Sequence, residues 1–215
     1  LQGQALNAVV AADMPADETV ALVHMTNSYG SGLADSFAAA YTASGNTLCT
    51  QIGYEETATD FQSAVTAVME NGCTSVVLVS YAADGAMIVD EMALQGFTGQ
   101  IYGGDGVAEE GLAADATSTV NGIIATKPSS GTMGTVGYVF ASLCGANEAC
   151  AGGIYTAEAF DSVVVMALSA FAQMASPGAS LSQVIMATGQ GVEGASGDIT
   201  FLANGDVPGA GYCVG

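Results

Sequence analysis

Apolar, β-branched runs recur through the first half of the chain at intervals that leave room for one helix between them, and this alternation limits the possible fold more than any other feature. ETVALVHM reads as a buried strand, SGLADSFAAAYTASG as an Ala-rich helix ending at Gly45, and NTLCTQIGYE as a second strand. TDFQSAVTAVMENG then sets Phe61, Val65 and Val68 on one helical face and stops at Asn71-Gly72. TSVVLVSY is a continuous β-branched run, as expected of a strand covered on both faces. DGAMIVDEMALQG reads as a third helix and QIYGGDGV as a fourth strand. Strands alternating with helices of this length predict an α/β fold with right-handed crossovers and a doubly wound parallel sheet.

After NGIIATKPSSG the pattern changes. Residues 132–153 are Gly-rich and contain a short Cys-bracketed loop, followed by a long helix from about Tyr155 to Met174. SLSQVIMATGQG reads as another helix and GDITFLANGDV as a hairpin turning at Asn204-Gly205. These elements supply helices but almost no parallel strands, as in a lobe whose sheet lies elsewhere. Ser162 to Gly178 comes nearest to a membrane span, but Gln173 and Pro177 interrupt it and Glu158 and Asp161 precede it, so a buried helix is expected. The opening LQGQALNAVV lacks a Met, a basic region and a signal-peptide core, as expected of a processed or trimmed product.

The charge balance excludes whole classes of partner. Against 21 acidic residues the chain has one Lys+Arg residue and one His, for a net charge of −20. Lys127 and His24 are therefore the only candidate cationic side chains. Nucleic acid needs a basic patch to neutralise phosphate, and an anionic membrane surface needs the same. Neither is an expected partner, and no direct membrane insertion is expected. A solvated, salt-tolerant surface explains the acidity, and near-immunity to trypsin-like cleavage is the sharper alternative.

Five cysteines with no accompanying metal-ligand pattern fit an exported, oxidised protein. Cys144 and Cys150 bracket GANEA, a ring that one disulfide can close. Cys49 and Cys73 open successive strands, which places both at the same end of a parallel sheet, where they can pair. Cys213 is left over. CxxC spacing is absent and His24 is distant, so no metal site and no cofactor are expected. Likewise there is no GxSxG, no P-loop, no GxGxxG after a strand and no HExxH, so the chain is not expected to be an enzyme.

The stretches ETVALVHMTNSYGSGLADSF, ETATDFQSAVTAV, SVVLVSYAADGAMIVDEMALQGF, IYGGDGV, IYTAEAFDSVVVMALSAF and GDITFLANGD, in this order, resemble the type I periplasmic binding proteins, specifically the leucine/isoleucine/valine-binding branch. That resemblance implies two α/β lobes that close on a ligand. It implies that residues 1–127 are lobe two, that 128–206 are a partial lobe one of helices and a hairpin, and that 207–215 are a return crossing tail. It also implies that the family's N-terminal segment, which supplies lobe one's sheet, lies outside this sequence. The helix around Ala159 to Met174 is therefore expected to carry an apolar face that needs cover from outside this sequence.

The resemblance also assigns candidate binding residues. Ligands of open α/β sheets lie beyond the carboxyl ends of the strands. Tyr29, in TNSYGSG, and Tyr81, in VVLVSYAADG, match positions where the family puts ligand-contacting aromatics. Asp105 matches the acidic residue that pairs with the ligand's α-ammonium. Gly103, Gly104 and Gly106 beside it leave room for a small cation, so Gly104 joins the candidate ligand-binding set. Asp60 reads as a helix N-cap and His24 as a satisfied core residue. The implied function is an extracytoplasmic solute-binding protein, periplasmic or secreted, that captures a branched-chain or similar amino acid for an ABC transporter permease. A structural subunit of an extracellular homo-oligomer or filament is the alternative, and a sensor ectodomain a further one.

Overall fold

The structure, a computed structural model, describes residues 1–15, 18–129, 134–147, 150, 153–208 and 211–215. The chain divides into two compact units, Leu1–Lys127 with Tyr212–Gly215, and Pro128–Gly211.

In the first unit, α1 (Gln2–Asp13), β1 (Val20–Met25), α2 (Ser28–Ala43), β2 (Thr50–Tyr54), α3 (Gln62–Glu70), β3 (Ser75–Val79), α4 (Ala82–Leu94), β4 (Gln100–Gly103), α5 (Glu110–Asp115) and β5 (Ile124–Pro128) follow one another, and β8 (Tyr212–Val214) returns at the end. The sheet order is β2-β1-β3-β4-β5-β8. β1 pairs in parallel with both β2 and β3, and β3–β4 and β4–β5 are parallel too. Ala125 and Gly215 exchange both backbone hydrogen bonds, the signature of an antiparallel pair, so the β8 edge runs against the rest. The α/β class and the doubly wound parallel sheet are thus as the alternation predicts.

Strand side chains alternate between two cores, the period-two rule of a pleated sheet. Val20, Leu22, Val77 and Val79 pack with α1 and α2 residues such as Leu6, Val10 and Phe37. Ala21, Val23, Val76 and Leu78 pack on the other face with Val65, Val68, Ile88 and Met92 from α3 and α4. Gly45 and Gly72 end α2 and α3 with φ of 87° and 68°, the left-handed turn that favours glycine. Asp60 accepts a hydrogen bond from Gln62 N at 2.9 Å, although the N-cap position itself falls on Phe61, one residue later than expected. His24 is buried in β1, with Nδ1 3.0 Å from Met25 O and Nε2 3.3 Å from Gln51 Nε2.

A disulfide joins Cys49 to Cys73 across the entry of β1, with Cα atoms 5.9 Å apart. Another joins Cys144 to Cys150 in the second unit.

The second unit contains α6 (Thr135–Cys144), α7 (Thr156–Ala175), α8 (Leu181–Thr188) and the antiparallel pair β6 (Gln190–Glu193) and β7 (Asp198–Thr200). Three expectations need correction here. The Gly-rich segment 132–153 forms a helix over Thr135–Cys144, with Gly137 and Cys144 as its buried residues; residues 132–133, 148–149 and 151–152 lie outside the described set. The hairpin turns between Glu193 and Asp198, and Asn204-Gly205 instead forms a turn in which Leu202 N bonds Asp206 O. The long helix is not buried as a whole, since only Asp161, Val165 and Ser169 on it are buried. Phe171 is 74% and Met174 81% exposed, and Val163 and Met166 stand out beside them. This is an apolar face that the described residues leave exposed. By length and composition alone the helix could also cross a membrane.

Candidate functional site

A sheet of order 2-1-3-4-5 reverses direction at its first strand: one crossover from β1 leads to β2 on one side, and the later strands lead away on the other. The loops leaving β1 and β3 therefore diverge and leave a crevice at their carboxyl ends. Tyr29 stands in the first turn of α2, directly after β1, and Tyr81 is the N-cap residue of α4, directly after β3. Asp105 opens a short 3-10 turn, Asp105–Val107, after β4.

The structure brings these three residues together. The Tyr29 and Tyr81 rings stack with centroids 5.1 Å apart and planes 14° from parallel, within the offset-stacked range of aromatic pairs. Tyr29 donates its hydroxyl hydrogen to Asp105 Oδ1 at 2.9 Å, and Gly106 N donates to the Tyr29 hydroxyl at 3.2 Å. Asp105 is only 6% exposed, whereas Tyr81 is 43% exposed and offers an open ring face.

Glycines make this approach possible. A Cβ on Gly104 would lie 2.8 Å from Leu33 Cδ2 and 3.1 Å from the Tyr29 hydroxyl, and one on Gly106 would lie 2.3 Å from Ser80 O. Gly104 thus seats Tyr29 against Asp105. The local fold of α2 helps as well, because Asn27 caps it by accepting from Gly30 N at 2.8 Å, which holds the turn that carries Tyr29.

Side chains that the sequence reading does not single out complete the site. Gln2 Nε2 donates to Asp105 Oδ1 at 2.8 Å and to Thr126 O at 3.2 Å. Tyr54 and Ser80 share a 2.6 Å hydrogen bond, and Ser80 Oγ donates to Tyr81 O at 3.1 Å, so a buried chain fixes the strand end where Tyr81 turns into α4. Burial raises the Tyr54 phenol well above its ordinary value, the Ser80 contact pulls it down, and the Asp84 charge raises it again. Asp84 is itself pushed up, first by burial and then by the Glu56 charge. Burial, followed by the Asp105 charge, raises the Tyr212 phenol on β8. No local pattern flags Gln2 or Tyr212, since their partners are distant in sequence.

A cavity of about 240 Å³ lies beside the turn, lined by Val107, Leu112, Val120, Ile123, Ala125 and Lys127 among others. None of the Tyr29–Tyr81–Asp105 set lines it. Among the described residues no cluster of His, Cys, Asp or Glu is suited to a metal ion.

Comparison with known proteins agrees with this architecture. The sequence pattern of the family described as Periplasmic binding protein matches residues 2–141. A Leu/Ile/Val-binding protein homolog from Brucella melitensis is 30% identical over 120 residues, which are 52% of this chain and 32% of that protein. Leucine binding protein LivK from Thermotoga maritima superposes with a TM-score of 0.83 at 20% identity, covering 99% of this chain and 61% of that one. LivJ of Streptococcus pneumoniae, solved with isoleucine, gives 0.73 at 20% identity, covering 100% of this chain and 64% of that one. The chain spans less than two thirds of the length of each of these relatives.

Proposed function

Because the chain belongs to the periplasmic binding protein family, we propose that it forms the ligand-binding second lobe, with part of the first, of an extracytoplasmic protein that captures an amino acid for an ABC transporter. The observation that carries this reading is the convergence of a sheltered carboxylate and a stacked tyrosine pair at the point where the sheet reverses. An ammonium group entering there meets Asp105 as its charge-assisted acceptor and the exposed Tyr81 ring as an apolar or cation–π wall. Leucine, isoleucine or a similar zwitterion fits that chemistry. The relatives named for leucine and isoleucine support the same class. The role is binding, with no reaction assigned to the chain. Two disulfides support an oxidising, extracytoplasmic setting.

The exposed apolar face of α7 favours a second reading, assembly with copies of the chain. We assign that face to lobe-one structure of the kind that the additional length of the solved relatives supplies.

Calorimetric titration of the intact protein with leucine, isoleucine, valine and other amino acids, with light scattering for mass, tests the reading. Loss of a hydrogen bond to a charged group is worth roughly 1.5–3 kcal/mol, so Asp105→Asn is expected to weaken binding about ten- to a hundredfold. Unchanged affinity removes Asp105 from the site, and a large inert assembly with no heat of binding favours the assembly reading.

A further inference from the structure

We infer that Gln2 is a positioning residue that holds the Asp105 carboxylate in its ligand-accepting orientation, a role that rests on reading Asp105 as the ammonium acceptor. The Gln2 side-chain amide has two N–H bonds. One points to Asp105 Oδ1 at 2.8 Å and the other to Thr126 O at 3.2 Å, so the amide bridges the turn after β4 and the middle of β5. Tyr29 donates to the same Oδ1 at 2.9 Å. Two donors converging on one oxygen set the plane of the carboxyl group before any ligand arrives. A binding group held this way spends less ordering entropy on association.

The residue type matters. An amide donates without bringing a positive charge that would compete with an incoming cation. A lysine here would neutralise it and compete with the ligand, and an aspartate or glutamate would repel it.

Gln2 is not a loose arm. It is the first residue of α1, whose Leu6 and Val10 are fully buried. Beside it, a Cβ on Gly3 would lie 2.5 Å from Phe37 N, so a glycine lets α1 sit directly against α2. That close approach carries the Gln2 side chain across the first unit to residues 103 and 124 positions away.

In the intact protein, Gln2→Met keeps length and flexibility but removes both donors. Titration with L-leucine and L-isoleucine is expected to show about tenfold weaker binding, the fold-change for one hydrogen bond to a charged group. In an Asp105→Asn background the same substitution is expected to cost less than about twofold, because the group it orients no longer carries charge. Nuclear magnetic resonance of the ligand-free protein reads the contact directly: the Gln2 side-chain amide is slow to exchange, and its resonances move in Asp105→Asn. The inference is overturned if Gln2→Met binds like wild type, if its loss is the same in both backgrounds, or if the Gln2 amide exchanges like an exposed glutamine. Wild-type protein that ignores every amino acid, yet whose Gln2 amide responds to Asp105→Asn, refutes the proposed ligand while supporting the positioning contact.

Discussion

Asp161 offers the sharpest test of how the second unit holds together. It lies in the second turn of α7 and is buried. Its Oδ1 accepts from Ala195 N at 2.6 Å, and its Oδ2 accepts from Ser196 N at 2.8 Å and Ser196 Oγ at 2.6 Å. One carboxylate thus satisfies the Ala195 and Ser196 amides of the turn between β6 and β7, which Gly194 N closes onto Gly197 O. Gly194 is part of the fit, because a Cβ there would lie 2.4 Å from Asp161 Oδ2. Asp161→Ala removes all three acceptor contacts and strands two backbone N–H groups, each costing about 1–3 kcal/mol when left buried and unpaired. Two such groups sum to about 2–6 kcal/mol and some of that is recovered if water enters, so a loss of about 3–4 kcal/mol is expected. For a unit of this size each kcal/mol moves the melting temperature by roughly 4–8 °C, so a drop on the order of 15–30 °C is expected. Asp161→Asn keeps one acceptor oxygen but turns an NH2 towards a backbone N–H, and about half the loss is expected. Because two units are present, hydrogen exchange at the Ala195 and Ser196 amides is the decisive assay. Protection at those amides that survives Asp161→Ala, or a melting temperature within about 3 °C of wild type, refutes the reasoning.

Asp90 accepts from the backbone and hydroxyl groups of both Thr117 and Ser118 at 2.6 to 3.0 Å. Burial pushes its carboxyl up, but the Ser118 and Thr117 hydrogen bonds outweigh that effect and hold it well below the ordinary range. With the folded value depressed, its stabilisation is present above the unfolded value of about 4 and fades as pH falls through the folded one. The gap in urea midpoint between wild type and Asp90→Asn should therefore narrow between neutral pH and strong acid, and a gap that stays constant contradicts this account. Replacing Cys49 and Cys73 together by alanine opens a 24-residue separation, for which chain entropy gives a loss of about 3.5 kcal/mol. The disulfide sits at the strand entries, opposite the Tyr29–Asp105 crevice, so calorimetry should find ligand affinity within about twofold of wild type; a larger fall shows coupling between the two ends of the sheet.

The strands, the helices between them and the strand-end position of each proposed contact residue follow from short-range rules. Continuous apolar runs and helical spacing are visible within a window of a dozen residues, as Val20 to Met25 and Gln62 to Glu70 show. Knowing that β1, β3 and β4 lie parallel is enough to bring Tyr29, Tyr81 and Asp105 to one end of the sheet. Cys49 and Cys73 meet for the same reason, since both precede strands that flank β1. α1 escapes such a reading because only Gly3, Leu6 and Val10 on it are buried, too sparse a stripe to announce a helix face.

What tertiary structure alone decided are the contacts whose partners lie far apart along the chain. The Gln2 amide meets Asp105 only because Gly3 lets α1 press against α2. Tyr212 reaches the neighbourhood of Asp105 only because the last strand returns to the sheet edge. Asp161 finds its turn 34 residues onward through the packing of the second unit. Periodicity records which face of an element is apolar, but which partner meets that face depends on close approach between elements, and a few glycines with no Cβ to obstruct it decide that.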